Sequence, residues 1–244
     1  MLKNLYKLFS KKLMMNDLTL VIPAKNEGET LPLVLESLKK LNLKIIISLK
    51  NDDLETINSI IKNENIKIYF QSGEGYGNSL REAIDSCETK YFCIFNADGS
   101  FEQKDLIKMY NQIKNNDFVY TTRYEKTGGS EDDTLITFIG NKIFSKLGNI
   151  FFSLKISDIL YTYLMGQTES FRKLSIKSND FRFCVELPIK MEISNMKYKC
   201  IPSYELKRIA GKKKVNAFKD GFLILIEMLR LFFDYKLLRK KLIK

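Results

Sequence analysis

The 244-residue sequence contains no histidine and no tryptophan, and only four cysteines. Without histidine the protein has no imidazole general base, no imidazole metal ligand and no Ser-His or Cys-His nucleophile. Its chemistry must therefore run on carboxylates, amides, cations and a metal ion. The cysteines form no Cys-x-x-Cys pair and no signal-peptide pattern opens the chain, so we expect core thiols in a reducing cytosol.

Negative charge is also in short supply. Forty Lys and Arg residues stand against 29 Asp and Glu residues, which gives a net charge of +11. This excess predicts attraction to phosphate, nucleic acid or an anionic membrane surface, although a composition rich in Lys, Asn and Ile explains part of it. The hydrophobic content of 45% is enough for one packed domain with appendages.

Apolar runs alternate with helical patterns over the first half of the chain. The runs predict strands at 18–23, 44–49, 66–70 and 91–95, and the helical patterns lie at 30–41, 54–62 and 78–87. This alternation predicts an α/β domain over 18–216, with a mostly parallel sheet and crossover helices. Ligands of such sheets collect at the carboxyl ends of the strands, so the polar loops at 23–27, 51–53 and 96–100 should share one edge.

The fourth predicted strand runs directly into Asn96, Ala97, Asp98, Gly99 and Ser100. A hard divalent cation takes oxygen ligands from short side chains, and a tight turn after a strand lets two of them converge on one ion. We therefore predict a metal and diphosphate site with Asn96, Asp98 and Ser100 as ligands. The alternative is an ordinary Asx turn, since strands often end in Asn, Asp and Gly.

Several motifs give the chain a resemblance to a known family. The segment 23–27 (Pro-Ala-Lys-Asn-Glu) ends a strand and opens a helix, and a glycine-rich turn at 75–84 precedes another. Together with the Asn-x-Asp strand, these motifs resemble the family 2 glycosyltransferases. Arg123-Tyr124, Gly140-Asn141, Asp158 and the basic segment 208–214 follow in the order seen in the dolichyl-phosphate mannosyltransferase branch.

The resemblance covers roughly 18–221 and implies a GT-A fold, a Mg²⁺ or Mn²⁺ requirement and an inverting transfer from a nucleotide-diphosphate sugar to a polyprenyl phosphate. It implies a nucleotide-sugar site made of Pro23, Ala24, Asn26, Glu27, Asp52, Gly75, Asn78, Asn96, Ala97 and Arg123. It also implies that Arg123, Arg208, Lys212 and Lys214 bind the acceptor or its phosphate, and that the acid of the helix at 183–189, Glu186, faces the site.

The expected catalytic residues are Asp98, Arg208 and Lys214, on chemical grounds, and Asp158, which the resemblance adds. A cation and basic side chains stabilise the charge that develops on a diphosphate leaving group. The flexible basic loop around Gly211 could close over phosphate oxygens, although a solvated basic loop is the alternative. An acceptor phosphate needs no base, whereas a sugar hydroxyl does, and Asp158 could then serve as that base.

The chain departs from the family pattern in three places. Asn96 stands where the metal motif usually begins with Asp, which removes one charge. The second strand ends in Lys50 instead of paired acids, with Asp52 and Asp53 beyond it, so the identity of the base stays open. The spacing from Asp158 to Phe171 is longer than usual. With no tryptophan, the Gln-x-x-Arg-Trp signature of processive synthases is missing, which argues against polymerisation.

Three segments have the pattern of amphipathic membrane-surface helices: 1–17, 135–155 and 217–244. The alternatives are a frayed tail for the first, a buried core helix for the second and a dimer-forming helix for the third. For the second segment a surface hairpin is favoured, because Gly140-Asn141 and Gly148-Asn149 interrupt it. None is apolar enough for a confident membrane span.

The sequence thus favours a glycosyltransferase on the cytoplasmic face of the cell membrane, with no nucleic-acid partner. One alternative is a GT-A enzyme that acts on a sugar hydroxyl of a surface polysaccharide or glycolipid. Another is a non-enzymatic basic protein that binds membranes or nucleic acid, which would leave the polar loops at the strand ends unexplained.

Overall fold

The computed structural model describes residues 15–61, 63–211 and 214–242, with side chains described as far as residue 235. The strands are β1 (Leu18–Pro23), β2 (Lys44–Leu49), β3 (Ile66–Phe70), β4 (Tyr91–Ile94), β5 (Phe118–Thr122), β6 (Gly129–Ser130), β7 (Leu164–Gln167), β8 (Tyr198–Pro202) and β9 (Tyr204–Glu205). The helices are α1 (Leu31–Leu38), continued by a 3₁₀ turn (Lys39–Leu41), α2 (Leu54–Ser59), α3 (Tyr76–Asp85), α4 (Gln103–Ile113), α5 (Leu135–Phe152), α6 (Thr168–Leu174), α7 (Phe183–Ile193) and α8 (Ala217–Leu242).

The central sheet has the strand order β3-β2-β1-β4-β7-β5-β8. Every pairing in it is parallel except those of β7, which runs antiparallel to β4 and β5. A short parallel ribbon of β6 and β9 lies outside this sheet. The prediction of a mostly parallel α/β sheet is therefore confirmed, and the parallel strands β1, β2 and β3 begin and end at the predicted residues.

The central strands of the sheet are buried on both faces, which explains the apolar runs of β1 and β4. On one face α1 and α4 contribute side chains such as Leu31, Leu38, Leu106 and Met109 to the core. On the other face the core includes Leu80 of α3 and residues of α7 and α8. Helices on both faces leave the carboxyl edge of the sheet free for ligands.

The helix α5 is continuous, so the predicted hairpin is wrong. The Thr134 hydroxyl caps its first turn by accepting from the Thr137 N–H, and the helix ends where Ser153 adopts a φ of 63°. Gly140 has open space around it, and Gly148 packs near Ile159. A glycine inside a helix costs about 1 kcal/mol, which packing against neighbouring helices offsets.

The helices α5 and α8 pack against each other and against α7. The third amphipathic segment is helical, as predicted, and forms α8. The helix predicted at the N-terminus falls mostly on residues 1–14, which lie outside the described residues. Within the described ranges, no helix combines the length and the apolar character needed to cross a bilayer.

Candidate active site

The carboxyl ends of β1, β2 and β4 open into a cavity of about 650 Å³. Most of the residues predicted for the nucleotide-sugar and catalytic sites line it: Pro23, Ala24, Asn26, Glu27, Asp52, Gly75, Asn96, Ala97, Asp98, Arg123, Arg208 and Lys214. These residues come from segments far apart in the chain, and the parallel sheet brings them to one edge. We call this space the donor cavity.

The loop after β4 holds the Asp98 carboxylate in a fixed orientation. Asp98 Oδ1 accepts hydrogen bonds from Ser100 N at 3.0 Å and from Ser100 Oγ at 2.7 Å, and Gly99 supplies the turn with a φ of 80°. The Asx turn is therefore present, and it orients the carboxylate. Ser100 is only 1% exposed and does not line the cavity, so its predicted place as a metal ligand is corrected: it positions Asp98.

The remaining oxygen atoms suit a hard cation. Asn96 Nδ2 donates to Ser100 Oγ at 3.3 Å, and no donor among the described residues contacts Asn96 Oδ1. Asp98 Oδ2 likewise receives no hydrogen bond from the described part of the chain, although it faces Arg208. A carboxylate and an amide oxygen are ligands that Mg²⁺ and Mn²⁺ accept. The described residues contain no cluster of three or more Asp, Glu or Cys that could hold a metal by itself.

The segment after β9 closes over this loop. Leu206 N donates to Ser100 O and Ile209 N donates to Asp98 O, both at 2.9 Å. Arg208 Nη2 lies 3.6 Å from Asp98 Oδ2 and 3.0 Å from Asp132 Oδ2. Burial lowers the pKa of Arg208, but the hydrogen bond to Asp132 and the charges of Asp98 and Asp132 outweigh it and raise the pKa overall. Arg208 therefore stays a cation beside Asp98.

The other end of the basic segment reaches the first loop. Lys214 Nζ forms an ion pair with Glu27 Oε1, and Glu27 Oε2 accepts from the Thr30 hydroxyl at 2.8 Å. Gly211, between Arg208 and Lys214, has a φ of 80°, a conformation that favours glycine. Arg208 and Lys214 thus both line the donor cavity, as predicted, whereas Lys212 lies outside the described residues.

Arg123 lies in the cavity wall at the end of β5. Its Nε and Nη2 donate to Asp158 at 2.8 and 2.9 Å, and its Nη1 donates to Glu205 at 2.9 Å. Burial lowers its pKa, but the hydrogen bond and charge of Asp158 and the charge of Glu205 raise it overall. The Tyr161 ring stacks 4.5 Å from the guanidinium carbon.

Asp158 does not occupy the place that a general base needs. Its side chain is fully buried and does not line the donor cavity. Both of its oxygens accept hydrogen bonds from Arg123, and Oδ1 also accepts one from Asn141. The prediction that Asp158 acts as a catalytic carboxylate is corrected on this geometry, because an acceptor hydroxyl cannot reach it.

Two further predicted contacts are also corrected. Asn78 is 2% exposed and lies behind the cavity wall, where its Oδ1 accepts from Gly73 N and its Nδ2 donates to Glu82. It supports the glycine turn, while Gly75 itself lines the cavity with a φ of 98°. Glu186 neither faces the site nor is exposed: it is buried and accepts from Ser178 N at 2.7 Å.

The sequence analysis missed Glu205, Tyr161 and Lys50 as cavity residues. Lys50 directly follows β2, so the rule that ligands collect at strand ends could have found it. Glu205 lies in a two-residue strand, β9, and Tyr161 lies in a loop before β7. Neither carries a local pattern, and only long-range contacts place them beside Arg123.

A second cavity, of about 590 Å³, shares Arg123 with the donor cavity. Its wall includes Tyr124, Leu135, Phe138 and Lys142 from the start of α5 and the loop before it. Lys142 Nζ lies 4.4 Å from the centre of the Tyr124 ring. Glu125 and Asp133 also line it. This space, which we call the α5 cavity, therefore has apolar and aromatic walls together with the cations Arg123 and Lys142 and two carboxylates.

Comparison with known proteins identifies the class of protein. Residues 19–175 match the family described as Glycosyl transferase family 2, which is more than half of the chain. The chain belongs to glycosyl transferase family 2 and is a glycosyltransferase. A curated relative, glycosyltransferase AglJ from Haloferax volcanii, is 23% identical over 215 residues, covering 86% of this chain and 70% of that protein.

Solved structures show the same fold. Glucosyl-3-phosphoglycerate synthase from Mycobacterium tuberculosis, in complex with Mn²⁺, uridine diphosphate and glucosyl-3-phosphoglycerate, matches with a TM-score of 0.66 at 11% identity, covering 90% of this chain and 81% of that one. Mannosyl-3-phosphoglycerate synthase from Rubrobacter xylanophilus matches with a TM-score of 0.62 at 15% identity, covering 92% and 74%. The GT-A prediction is thereby confirmed.

Proposed function

We propose that this glycosyltransferase moves a sugar from a nucleotide-diphosphate sugar to a polyprenyl phosphate at the cytoplasmic face of a membrane, with Mg²⁺ or Mn²⁺ as cofactor. The observation that carries the donor side is the convergence of Asp98, Arg208 and Lys214 on one cavity at the carboxyl edge of the sheet. Ordered carboxylate and cationic groups at this place suit a diphosphate and its counter-ion.

The metal assignment rests on the donor atoms of the loop after β4. Asp98 Oδ2 and Asn96 Oδ1 would hold the ion, and diphosphate oxygens and water would complete its ligands. A bound divalent ion supplies charge stabilisation to the leaving diphosphate. The uridine diphosphate and Mn²⁺ bound by the Mycobacterium tuberculosis relative support a nucleotide and a divalent ion here.

In the proposed reaction, a phosphate oxygen of the acceptor attacks the anomeric carbon, and the bond from that carbon to the diphosphate oxygen breaks. Arg208 and Lys214 stabilise the negative charge that the diphosphate gains. No proton has to leave the acceptor, because a phosphate monoester is already anionic near neutral pH. The inaccessibility of Asp158 removes the base expected for a sugar hydroxyl, which supports a phosphate acceptor.

The exposed face of α5 and α8 supports a lipid acceptor. Large apolar side chains project from both helices into solvent: Leu135, Ile136, Phe138, Ile139, Ile143, Ile150, Phe218, Phe222, Leu225, Ile226, Leu229 and Phe233. We call these residues the apolar face. Exposed Lys142, Lys146 and Lys219 lie on the same two helices. Apolar side chains combined with lysines suit the headgroup region of an anionic leaflet.

The test is a transfer assay with polyprenyl phosphate in detergent and radiolabelled UDP- and GDP-sugars, with and without Mn²⁺. We expect a product that is soluble in organic solvent and is hydrolysed by mild acid, because it is a sugar phosphate. An acid-stable product on a glycan or glycolipid hydroxyl would refute the acceptor and keep the glycosyltransferase. Glu169→Gln, a change in an exposed ion pair on α6, is the control that should keep full activity.

A further inference from the structure

The hydrogen bonds of Asp158 leave it no capacity for a substrate. Its Oδ2 accepts from Arg123 N and Arg123 Nε, and its Oδ1 accepts from Arg123 Nη2 and Asn141 Nδ2. A carboxylate has about four lone-pair sites, so all of them are taken. The side chain is also fully buried, behind Arg123 as seen from the cavity.

Arg123, by contrast, keeps donors that make no hydrogen bond within the described residues, although its Nη1 also lies 4.0 Å from Asp133 Oδ2. Three of the side-chain N–H groups are committed, two to Asp158 and one to Glu205. A guanidinium carries five donors in a planar fork, so two have no hydrogen bond in the part of the chain that the structure describes. Arg123 also lines both the donor cavity and the α5 cavity. The Arg123 guanidinium therefore lies in the wall that the two cavities share, where the sugar donor and the acceptor have to meet.

Asn141 in turn fixes the Asp158 carboxylate through a hydrogen bond. It lies in α5, is 2% exposed and donates to Asp158, while its own Oδ1 accepts from Leu160 N at 3.3 Å and from Ser145 Oγ at 3.4 Å. The amide thus ties α5, the loop at 158–160 and the Arg123 fork together. A planar fork that is clamped on two edges keeps one orientation, which is the purpose of such supporting hydrogen bonds at a site.

We propose that Asp158 and Asn141 are positioning residues, which act on the transfer reaction only by fixing the Arg123 guanidinium in the wall between the two cavities. The proposal rests on the proposed function, because it needs the two substrates to meet at this wall. In this role Asp158 differs from a general base, because its protonation state stays the same throughout the reaction. A misplacement of about 1 Å at such a group can cost about 100-fold in rate.

The experiment is a double-mutant cycle on the full chain with Asp158→Asn and Arg123→Lys. Lysine keeps the charge but lacks the fork that Asp158 clamps. We expect Asp158→Asn alone to lower kcat/KM for the acceptor about 100-fold. In the Arg123→Lys background the same change should cost less than about 3-fold, because there is no longer a fork to position. Asn141→Ala should act in the same direction, by about tenfold.

Controls separate this role from a structural one. Asp105→Asn changes another fully buried, ion-paired Asp outside both cavities, so it should lower the melting temperature while keeping activity. If the fold-losses in kcat/KM of the two single variants multiply in the double variant, the proposal is overturned. If Asp158→Asn also removed the fall in activity at low pH, Asp158 would be the general base. Absence of any lipid product from the parent protein would instead refute the proposed acceptor, and the cycle is then run with the acceptor that the parent does use.

Discussion

The guanidinium of Arg208 lies 3.6 Å from the carboxylate of Asp98, and the backbone of the next residue, Ile209, donates to the Asp98 carbonyl at 2.9 Å. The segment after β9 is thus bound to the loop after β4 through both side chain and backbone. As a result, Arg208, one of the cations proposed for the leaving diphosphate, lies next to the carboxylate proposed for the metal.

Replacement of Asp98 by Asn should lower kcat at least about 100-fold, because it removes the charge that would hold the metal and keeps the size of the side chain. The Asn Oδ1 can still accept from Ser100, so the melting temperature should change little. Steady-state kinetics and thermal melting check both parts. Full activity in this variant would remove the metal assignment.

The reverse change at the neighbouring ligand, Asn96→Asp, should strengthen metal binding. A second carboxylate adds one negative charge to the site, and ligand charge is a main determinant of affinity for hard cations. We expect the Mn²⁺ concentration for half-maximal activity to fall by roughly an order of magnitude. Titration of activity with Mn²⁺ measures it, and an unchanged midpoint would show that Asn96 is not a ligand.

The ion pair between Lys214 and Glu27 should matter for donor binding. With Lys214→Met the basic segment loses its tie to the first loop and one cation near the diphosphate. We expect KM for the nucleotide sugar to rise about tenfold, the loss of one charge-assisted contact. Lys39→Met, which breaks an exposed pair with Glu36 on the far end of α1, is the matched control and should leave KM unchanged.

Glu186 should stabilise the fold in a pH-dependent way. Burial raises its pKa, but the hydrogen bonds from Lys190 and Ser178 outweigh this and lower the pKa below the usual 4.5. The stabilisation is therefore fully present above the unfolded-state pKa and is lost as the pH falls through the folded-state pKa. We expect Glu186→Gln to cost about 2 kcal/mol at pH 7 and clearly less in acid, measured by urea unfolding. An equal cost at both pH values would contradict this account.

The apolar face of α5 and α8 should bind anionic vesicles. Phe218 and Phe222 are 81% and 64% exposed, and inserting one Phe side chain contributes roughly 2 kcal/mol. Changing both to Ser should lower vesicle partitioning by at least about tenfold in a sedimentation assay. Phe70→Ser, at an exposed Phe of β3, is the control that should leave partitioning unchanged. A stable dimer that covers the face, seen by light scattering, would refute the membrane proposal.

Much of the sheet could be predicted from local pattern alone. The runs at 18–23 and 44–49 are mostly apolar because both faces of these strands are covered. The antiparallel strand β7 was missed, because its four residues include Gly166 and show no period. The hairpin over α5 was wrong for a related reason: glycine propensity is a local quantity, whereas packing against α7 and α8 decides whether the helix continues.

The sequence by itself determined the strand-end motifs, and with them the metal loop, the first loop and the basic segment that line the donor cavity. Only the tertiary structure decided which carboxylates line the cavity and which form hydrogen bonds that hold another side chain. Asp98 and Asp158 are both predicted from the sequence as catalytic carboxylates, yet one lines the cavity and the other is enclosed by Arg123 and Asn141. The physical reason is distance along the chain: partners such as Glu27 and Lys214 are separated by 187 residues, and no local pattern encodes contacts of that range.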